Sequence, residues 1–332
     1  MRVSAGAKLL LAGGALLGAI ALANRYARPR VTPPPARRRS VQVDGVRLFY
    51  LEQGEGTPIV LLHGNGAMAE DFAASGILDR LAVRHRVIAF DRPGFGESER
   101  PSTRIWTFPA QADLLRRALV QMGIARPVLV GHSAGCLAAL HMALHDPQDT
   151  AALVLLSGFY FPRLRPDMLI TSLWALPGLR WLAASAAAHL FGWLALPGYL
   201  RVVFAPNRVP ERFRRSFPLA AVLRPRHLMA TIADTPLLLW DPMTLPRCLD
   251  RLRMPVTIMT GTQDRIVMGR LQSRRLHQAV PGSRLHALEG IGHMIHHAEP
   301  DAVIAAIEQA ADAAQRRLGA DGIAPENKPV FS

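Results

Sequence analysis

The chain has few cysteines, and this shortage excludes a small domain held together by disulfides. Two cysteines in 332 residues, Cys136 and Cys248, are too few for the disulfide framework of a small secreted domain. Cys136 falls at the start of a predicted helix, where we expect it to be buried. We therefore predict no disulfide between Cys136 and Cys248.

The excess of basic over acidic residues in the chain does not predict a nucleic-acid partner. The formal net charge is +14, but only 6% of the residues are aromatic and no nucleic-acid-binding motif is present. The positive charge is nearly all arginine, because the only lysines are Lys8 and Lys328. Metal-ligand spacings, a Walker loop and a dinucleotide fingerprint are also missing from the sequence, which therefore implies no metal ion and no cofactor.

Residues 1–39 are predicted to form a segment separate from the folded part. Residues 7–23 are apolar apart from Lys8, a run that is marginal for crossing about 30 Å of hydrocarbon. Six arginines follow within residues 25–39, and the positive-inside rule would keep the folded part cytoplasmic. We favour an uncleaved membrane anchor with a basic, proline-rich linker. The alternatives are a cleaved secretory signal ending near Ala21–Ala23 and a soluble apolar arm.

From residue 40 onward the sequence predicts an α/β protein with a mostly parallel central sheet and helices on both faces. Half of the residues are hydrophobic, which is enough for a full core. Apolar runs alternate with amphipathic stretches across short connections, the pattern of right-handed crossovers. Asp44-Gly45 predicts a hairpin at the start. The predicted strands are 58–62, 86–90, 127–130, 151–156, 255–260 and 283–288, and the predicted helices are 72–84, 108–122, 134–145, 271–279 and 300–318.

Residues 159–245 break this rhythm and predict a helical cap inserted between two strands of the sheet. The segment contains many prolines and four of the five tryptophans. Its apolar character favours a hydrophobic acyl or ring-bearing substrate. The predicted core is then residues 40–158 and 246–318, followed by a flexible tail at 319–332.

One short motif predicts the nucleophile. Gly131-His132-Ser133-Ala134-Gly135 follows a buried strand and precedes a helix. Glycines two residues before and after a serine allow the close chain approach of a strained strand-to-helix turn, the nucleophile elbow. The pattern predicts that the Ser133 hydroxyl is exposed above the sheet.

Five motifs in order along residues 40–318 give the chain a resemblance to the α/β-hydrolase superfamily, of the serine esterase or lipase-like kind with a lid insertion. The resemblance implies the α/β-hydrolase fold. The motifs are HGNG at 63–66, DRPGFGES at 91–98, GHSAG at 131–135, TGTQDRIV at 260–267 and GIGHMIHH at 290–297.

The catalytic residues follow from the roles that acyl transfer requires. Ser133 is the expected nucleophile, His293 its base, and Asp264 the acid that orients the imidazole, in the chain order of this fold. The oxyanion donors implied are the backbone amides of Ala134 and Asn65. The Asn65 side chain alternatively only shapes the turn.

Other titratable residues compete for these roles. Asp241 and Asp250 are rivals of Asp264, and His296 and His297 lie close to His293. We expect His297 to cap or pack against the following helix. By resemblance, His63 and His132 hold structural positions, and Asp91 and Arg92 belong to a loop that is mainly structural.

The predicted function is a serine hydrolase that cleaves a carboxylic ester or related acyl bond of a small, moderately hydrophobic substrate. Serine at position 133 excludes epoxide opening and halide displacement, because relatives with those activities use aspartate there. Carbon–carbon bond hydrolysis and cofactor-free perhydrolysis on the same triad remain alternatives. A non-catalytic ligand binder with the same fold is the alternative of another class.

Overall fold

An eight-stranded sheet organises the structure, a computed structural model that describes residues 38–163, 184–185 and 192–320. The strand order is β1-β2-β4-β3-β5-β6-β7-β8. β2 is antiparallel to both β1 and β4, and every other neighbouring pair is parallel. The predicted fold class is confirmed. The strands are β1 (Arg38–Val43), β2 (Val46–Gln53), β3 (Thr57–Leu62), β4 (His85–Phe90), β5 (Val128–His132), β6 (Ala152–Leu156), β7 (Val256–Gly261) and β8 (Arg284–Leu288).

The helices follow the predicted pattern with one exception. Where the spacing predicts one helix over 72–84, the structure has two short helices, because Gly76 adopts φ +84 and ends the first of them. The helices are α1 (Glu70–Ser75), α2 (Ile77–Leu81), α3 (Phe108–Gln121), α4 (Gly135–His145), α5 (Gly192–Phe204), α6 (Glu211–Ser216), α7 (Leu219–Val222), α8 (Pro225–Asp234), α9 (Leu237–Trp240), α10 (Gly269–Ala279), α11 (Ile295–Ala298) and α12 (Pro300–Ala320).

The sheet is buried on both faces because its strands alternate between two cores. In β3, Val60 and Leu62 belong to the core shared with α3 and α4, whereas Ile59 and Leu61 belong to the core shared with α12. Every one of these four side chains is fully buried. The continuous apolar run at 58–62 thus fits a parallel strand covered by helices on each side. This arrangement leaves the carboxyl ends of the strands as the edge where polar groups can collect.

The hairpin prediction is confirmed at the first two strands. Val43 pairs with Val46, and the two residues between them, Asp44 and Gly45, have φ +48 and +75. Positive φ at both central positions is the conformation of a tight two-residue turn, which Asp-Gly adopts readily. The hairpin begins at Arg38, within the segment that the sequence assigns to the linker.

The predicted cap lies between β6 and β7, and its described part is helical from α5 to α9. Short 3-10 turns at Asp241–Met243, Leu245–Arg247 and Leu249–Arg251 lead from the last of these helices toward β7. Of the four tryptophans in this segment, the one whose side chain is described, Trp240, is 61% exposed. It therefore does not line a buried substrate site.

The predicted N-terminal anchor at residues 7–23 lies outside the described residues, as does the tail from residue 321. Within residues 38–163, 184–185 and 192–320, no helix has both the length and the apolar character needed to cross a membrane.

Candidate active site

Ser133 occupies a strained turn between β5 and α4. Its φ is +53, in the left-handed region that residues with a side chain rarely adopt. A Cβ at Gly131 would lie 2.7 Å from the Cα of Cys136, and one at Gly135 would collide with the carbonyl of Leu62. The turn is therefore as tight as the glycine spacing predicts, and it holds Ser133 at the carboxyl edge of the sheet.

His293 and Asp264 form a buried hydrogen-bonded pair. His293 Nδ1 lies 2.9 Å from Asp264 Oδ2, and the amides of Ile266 and Val267 donate to Asp264 Oδ1 at 2.9 and 3.2 Å. Burial alone would raise the pKa of Asp264, but His293 and these two amides outweigh it and the pKa is lowered. Asp264 is therefore ionised at neutral pH and holds the Nδ1 side of the ring.

His132 connects the serine turn to the histidine loop. Its Nε2 lies 3.2 Å from the carbonyl oxygen of His293, and the two rings are 4.9 Å apart. Because His132 precedes Ser133 directly in the chain, this contact places Ser133 beside the His293–Asp264 pair. Burial is the main reason that the pKa of His132 is well below its usual value, so the ring is neutral.

The two expected oxyanion donors lie on either side of Ser133. Ala134 is buried at the N-terminal end of α4, where backbone amides point outward from the helix. On the other side, a Cβ at Gly64 would lie 3.1 Å from the Ser133 Cβ, so the loop that contains Asn65 passes close to the serine. The roles of Ala134 and Asn65 stay predictions.

The side chain of Asn65 is hydrogen-bonded to the cap. Its Nδ2 donates to the carbonyl of Thr231 at 3.2 Å and to the hydroxyl of Thr235 at 3.1 Å, in and just after α8. The alternative that this side chain only shapes its own turn is incomplete. The side chain also contacts a residue 166 positions away, which the sequence alone could not show. The backbone amide of Asn65 remains the candidate donor.

The rival acids lie elsewhere. Asp241 Oδ2 accepts the Phe108 amide at 2.7 Å at the start of α3, and burial raises the Asp241 pKa to about 6. Asp250 is exposed in a 3-10 turn. Asp91 accepts the amides of Ala69 and Glu97 and pairs with Arg38, a bracing role for its loop.

Sequence reasoning missed a buried carboxylate behind the histidine loop. Asp71 in α1 accepts a hydrogen bond from His296 Nε2 at 2.9 Å and from His297 Nε2 at 2.8 Å. The His296 ring also lies 4.3 Å from the His132 ring. Asp71, His296 and His297 also bring their possible metal-ligand atoms within 4.8 Å of one another, and these atoms are of the types that bind metal ions. The two hydrogen bonds already occupy both carboxylate oxygens, so we interpret the cluster as a support for the loop.

The cap contacts the loop that holds His293. Asn207 Oδ1 accepts the Gly292 amide at 2.9 Å, and a Cβ at residue 292 would collide with the Ala205 carbonyl. Glycine is thus required at position 292 by close approach, whereas Gly290 in the same loop has φ +74, a conformation that favours glycine. His297 in turn packs edge-on against Phe213 of α6.

Acid should destabilise the fold through its buried histidines. Burial lowers the pKa of His227 to about 3 and that of His141 to about 4. A histidine whose folded pKa lies below its unfolded value, about 6.5, binds more protons when unfolded. Its stabilising effect is complete above pH 6.5 and is lost as the pH falls toward the folded pKa. Each such histidine should remove about 1.4 kcal/mol of unfolding free energy per pH unit in that window.

Urea unfolding between pH 7 and about pH 4.5 tests this expectation. His227→Gln should reduce the slope of unfolding free energy against pH by about 1.4 kcal/mol per unit. His145→Gln, at an exposed position on the end of α4, is the control substitution. Equal slopes in the wild type and His227→Gln would refute the assignment.

The fold is that of known hydrolases. A family model for the alpha/beta hydrolase fold matches residues 57–300. An uncharacterized protein of Mycobacterium tuberculosis is 30% identical over 305 residues, covering 85% of this chain and 82% of that protein. The 2-hydroxymuconate semialdehyde hydrolase of Pseudomonas putida is 33% identical over 130 residues, 39% of this chain and 46% of that enzyme.

A solved structure extends the likeness along most of the chain. The crystal structure of a membrane phospholipase A, a bacterial virulence factor, superposes with a TM-score of 0.65 at 21% identity and covers 93% of this chain and 99% of that one. At this identity the likeness concerns the fold alone. The protein belongs to the α/β-hydrolase family. Within that family it is a hydrolase.

Proposed function

We propose that the protein is a serine hydrolase that cleaves a carboxylic ester or related acyl bond of a moderately hydrophobic substrate. The observation that carries the proposal is the left-handed turn at Ser133, beside the hydrogen-bonded pair of His293 and Asp264. A serine with φ +53 between two sterically required glycines is strained, and strain of this kind is found at functional sites. The nearby pair supplies the base and its orienting acid.

The proposed reaction begins with attack by Ser133 Oγ on the acyl carbon. Because His293 Nδ1–H donates to Asp264, the other ring nitrogen, Nε2, is free to accept the serine proton. Collapse of the tetrahedral intermediate breaks the bond to the leaving oxygen, which receives that proton from His293. Water then attacks the acyl-enzyme with His293 again as base, and the acid is released.

The substrate preference is proposed from the apolar surroundings of the site. Met294, which follows His293, and Met68, near the 63–66 loop, belong to one buried cluster with Phe204 and Phe213 of the cap. An apolar junction between the cap and both site loops favours a hydrophobic acyl or alcohol group over a charged one.

Carbon–carbon bond hydrolysis is the second candidate. The similarity to 2-hydroxymuconate semialdehyde hydrolase supports it, although that similarity spans less than half of either chain. The same three residues would serve such a reaction, because it also needs a base and stabilisation of an oxyanion. A non-catalytic binder of the same fold remains the candidate of another class.

An activity panel separates these candidates. We expect turnover of p-nitrophenyl acetate, butyrate, octanoate and dodecanoate, with an optimum at an intermediate chain length. A vinylogous diketone should react more slowly, and an anilide slowest. Turnover of the diketone alone would replace ester hydrolysis with the second candidate, and no turnover of any substrate would favour the binder.

We also propose that residues 7–23 anchor the protein to a membrane. The apolar run and the arginines that follow it support this proposal. The full-length protein should sediment with membranes after an alkaline carbonate wash, and a chain starting at residue 38 should not. A full-length protein found wholly in the supernatant would disprove the anchor.

A further inference from the structure

Arg92 is a fully buried guanidinium at the centre of a junction between the core and the cap. Its Nε donates to the carbonyl of His63 at 3.0 Å and its Nη2 to the carbonyl of Gly64 at 3.3 Å. Its Nη1 donates to Gln111 Oε1 and to Asp234 Oδ2, both at 2.8 Å. One side chain therefore joins the loop before Asn65 to the last residue of α8.

The hydrogen bonds of Arg92 fix the peptide group that contains the candidate oxyanion donor. The Gly64 carbonyl and the Asn65 amide belong to one planar trans peptide, so they point in opposite directions. The carbonyl lies among three donors, which are Arg92 Nη2, His63 Nδ1 at 2.8 Å and the Ala67 amide at 3.4 Å. The Asn65 amide must then point away from Arg92.

Asp234 is the charged partner that keeps Arg92 in this position. Both side chains are fully buried, and Asp234 Oδ1 also pairs with Arg100 Nη2 at 2.8 Å. Gln111 Nε2 donates to Asp234 Oδ1 at 3.2 Å. A guanidinium removed from water needs a charged and hydrogen-bonded partner to remain in place. In this structure the cap provides that partner.

We propose that Asp234 is a positioning residue that acts through Arg92 to orient the Asn65 amide toward the oxyanion formed on the substrate of Ser133. This rests on the proposed acyl-transfer function. The same cap helix also holds the Asn65 side chain through the Thr231 carbonyl. The oxyanion site is therefore complete only while α8 is seated on the core, which couples the position of the cap to transition-state stabilisation.

The test uses the full-length protein with Asp234→Asn, which keeps the size of the side chain and removes its charge. We expect kcat for a p-nitrophenyl ester to fall about 10–100-fold, less than the 10²–10³ for complete loss of one oxyanion donor. KM should change less than threefold. The affinity for an alkyl trifluoromethyl ketone, which forms an oxyanion on Ser133, should fall by the same factor as kcat/KM.

The matched control is Glu97→Gln. Glu97 also joins the core to the cap, through Arg224 at 2.6 Å and Arg226 at 2.8 Å, but it does not contact the 63–64 carbonyls. We expect its kcat and its ketone affinity to stay within threefold of the wild type. A purely structural role for the junction would instead lower the folded fraction in both variants without a parallel loss of ketone affinity.

Active-site titration with a fluorophosphonate corrects each rate for the folded fraction. If Asp234→Asn does not fold, Arg92→Lys, which keeps the charge but cannot bridge both carbonyls, should show the same parallel loss. If the variant that folds keeps both its kcat and its ketone affinity within threefold of the wild-type values, the inference is overturned. Failure of the proposed function is a different result, because the wild type itself would then not react with the fluorophosphonate.

Discussion

Replacing Ser133 with alanine is expected to lower kcat for ester hydrolysis by at least about 10⁴-fold. The change removes the proposed nucleophilic atom, Ser133 Oγ, and no other hydroxyl occupies the turn between β5 and α4 in the described structure. The melting temperature should stay within a few degrees of the wild type, because the hydroxyl is small and alanine keeps the Cβ that the turn already accommodates. Steady-state kinetics and thermal unfolding of the same sample measure both effects.

Ser157→Ala is the matched control. Ser157 directly follows the neighbouring strand β6 and has a similar φ of +48. Its buried hydroxyl has no hydrogen-bond partner among the described residues. Its kcat should remain within about fivefold of the wild type. If Ser133→Ala keeps its activity, or if Ser157→Ala loses activity to the same extent, the nucleophile has been misassigned.

Asp264→Asn is expected to lower kcat by about 10⁴-fold with little change in stability. Two backbone amides donate to Oδ1, so the asparagine oxygen should take that position and leave its NH₂ group facing His293 Nδ1. An NH₂ donor at that position stabilises the tautomer with hydrogen on Nε2, which cannot accept the proton of Ser133. The loss should therefore appear in kcat more than in KM.

Asp250→Asn serves as the control for the acid. Asp250 was a rival in the sequence and is exposed in the structure, so its kinetics should match the wild type. Equal activity of Asp264→Asn and Asp250→Asn would mean that the pair of Asp264 and His293 has no catalytic role.

The sheet and the turn at Ser133 could be predicted because their causes are local. Continuous apolar runs specify buried parallel strands, Asp44-Gly45 specifies a two-residue hairpin, and the glycines at 131 and 135 specify the tight turn. Each of these features depends on residues within a few positions of one another. The structure accordingly reproduces them with shifts of one or two residues at the ends of elements.

The supports of the site could not be predicted, because they join residues far apart in the chain. Asp71 meets His296 across 225 positions, and Arg92 meets Asp234 across 142. In the sequence, a lone aspartate in a helix and an arginine in a charged loop resemble solvated surface residues. The one available signal was two adjacent histidines, 296 and 297, after the loop, since buried histidines require an acceptor. The break at Gly76 was also missed, because glycine inside an apolar periodic stretch does not by itself end a helix.

The support of Asp71 for the histidine loop and that of Asp234 for the 63–65 loop have a common form. In each, a buried carboxylate pairs with a nitrogen-bearing side chain, which is His296 for Asp71 and Arg92 for Asp234. That side chain in turn supports a loop beside Ser133. Both supports lie next to cap residues, Phe213 beside His297 and α8 around Asp234. The cap is therefore joined to both sides of the site.

Labelling of the full-length, folded protein with a fluorophosphonate probe tests the central claim most directly. Mass spectrometry of the digested product should locate a single phosphonyl group on Ser133, and prior addition of a trifluoromethyl ketone should prevent the reaction. A folded protein that remains unlabelled, or that carries the probe on a residue other than Ser133, would contradict the proposal that Ser133 is an activated nucleophile.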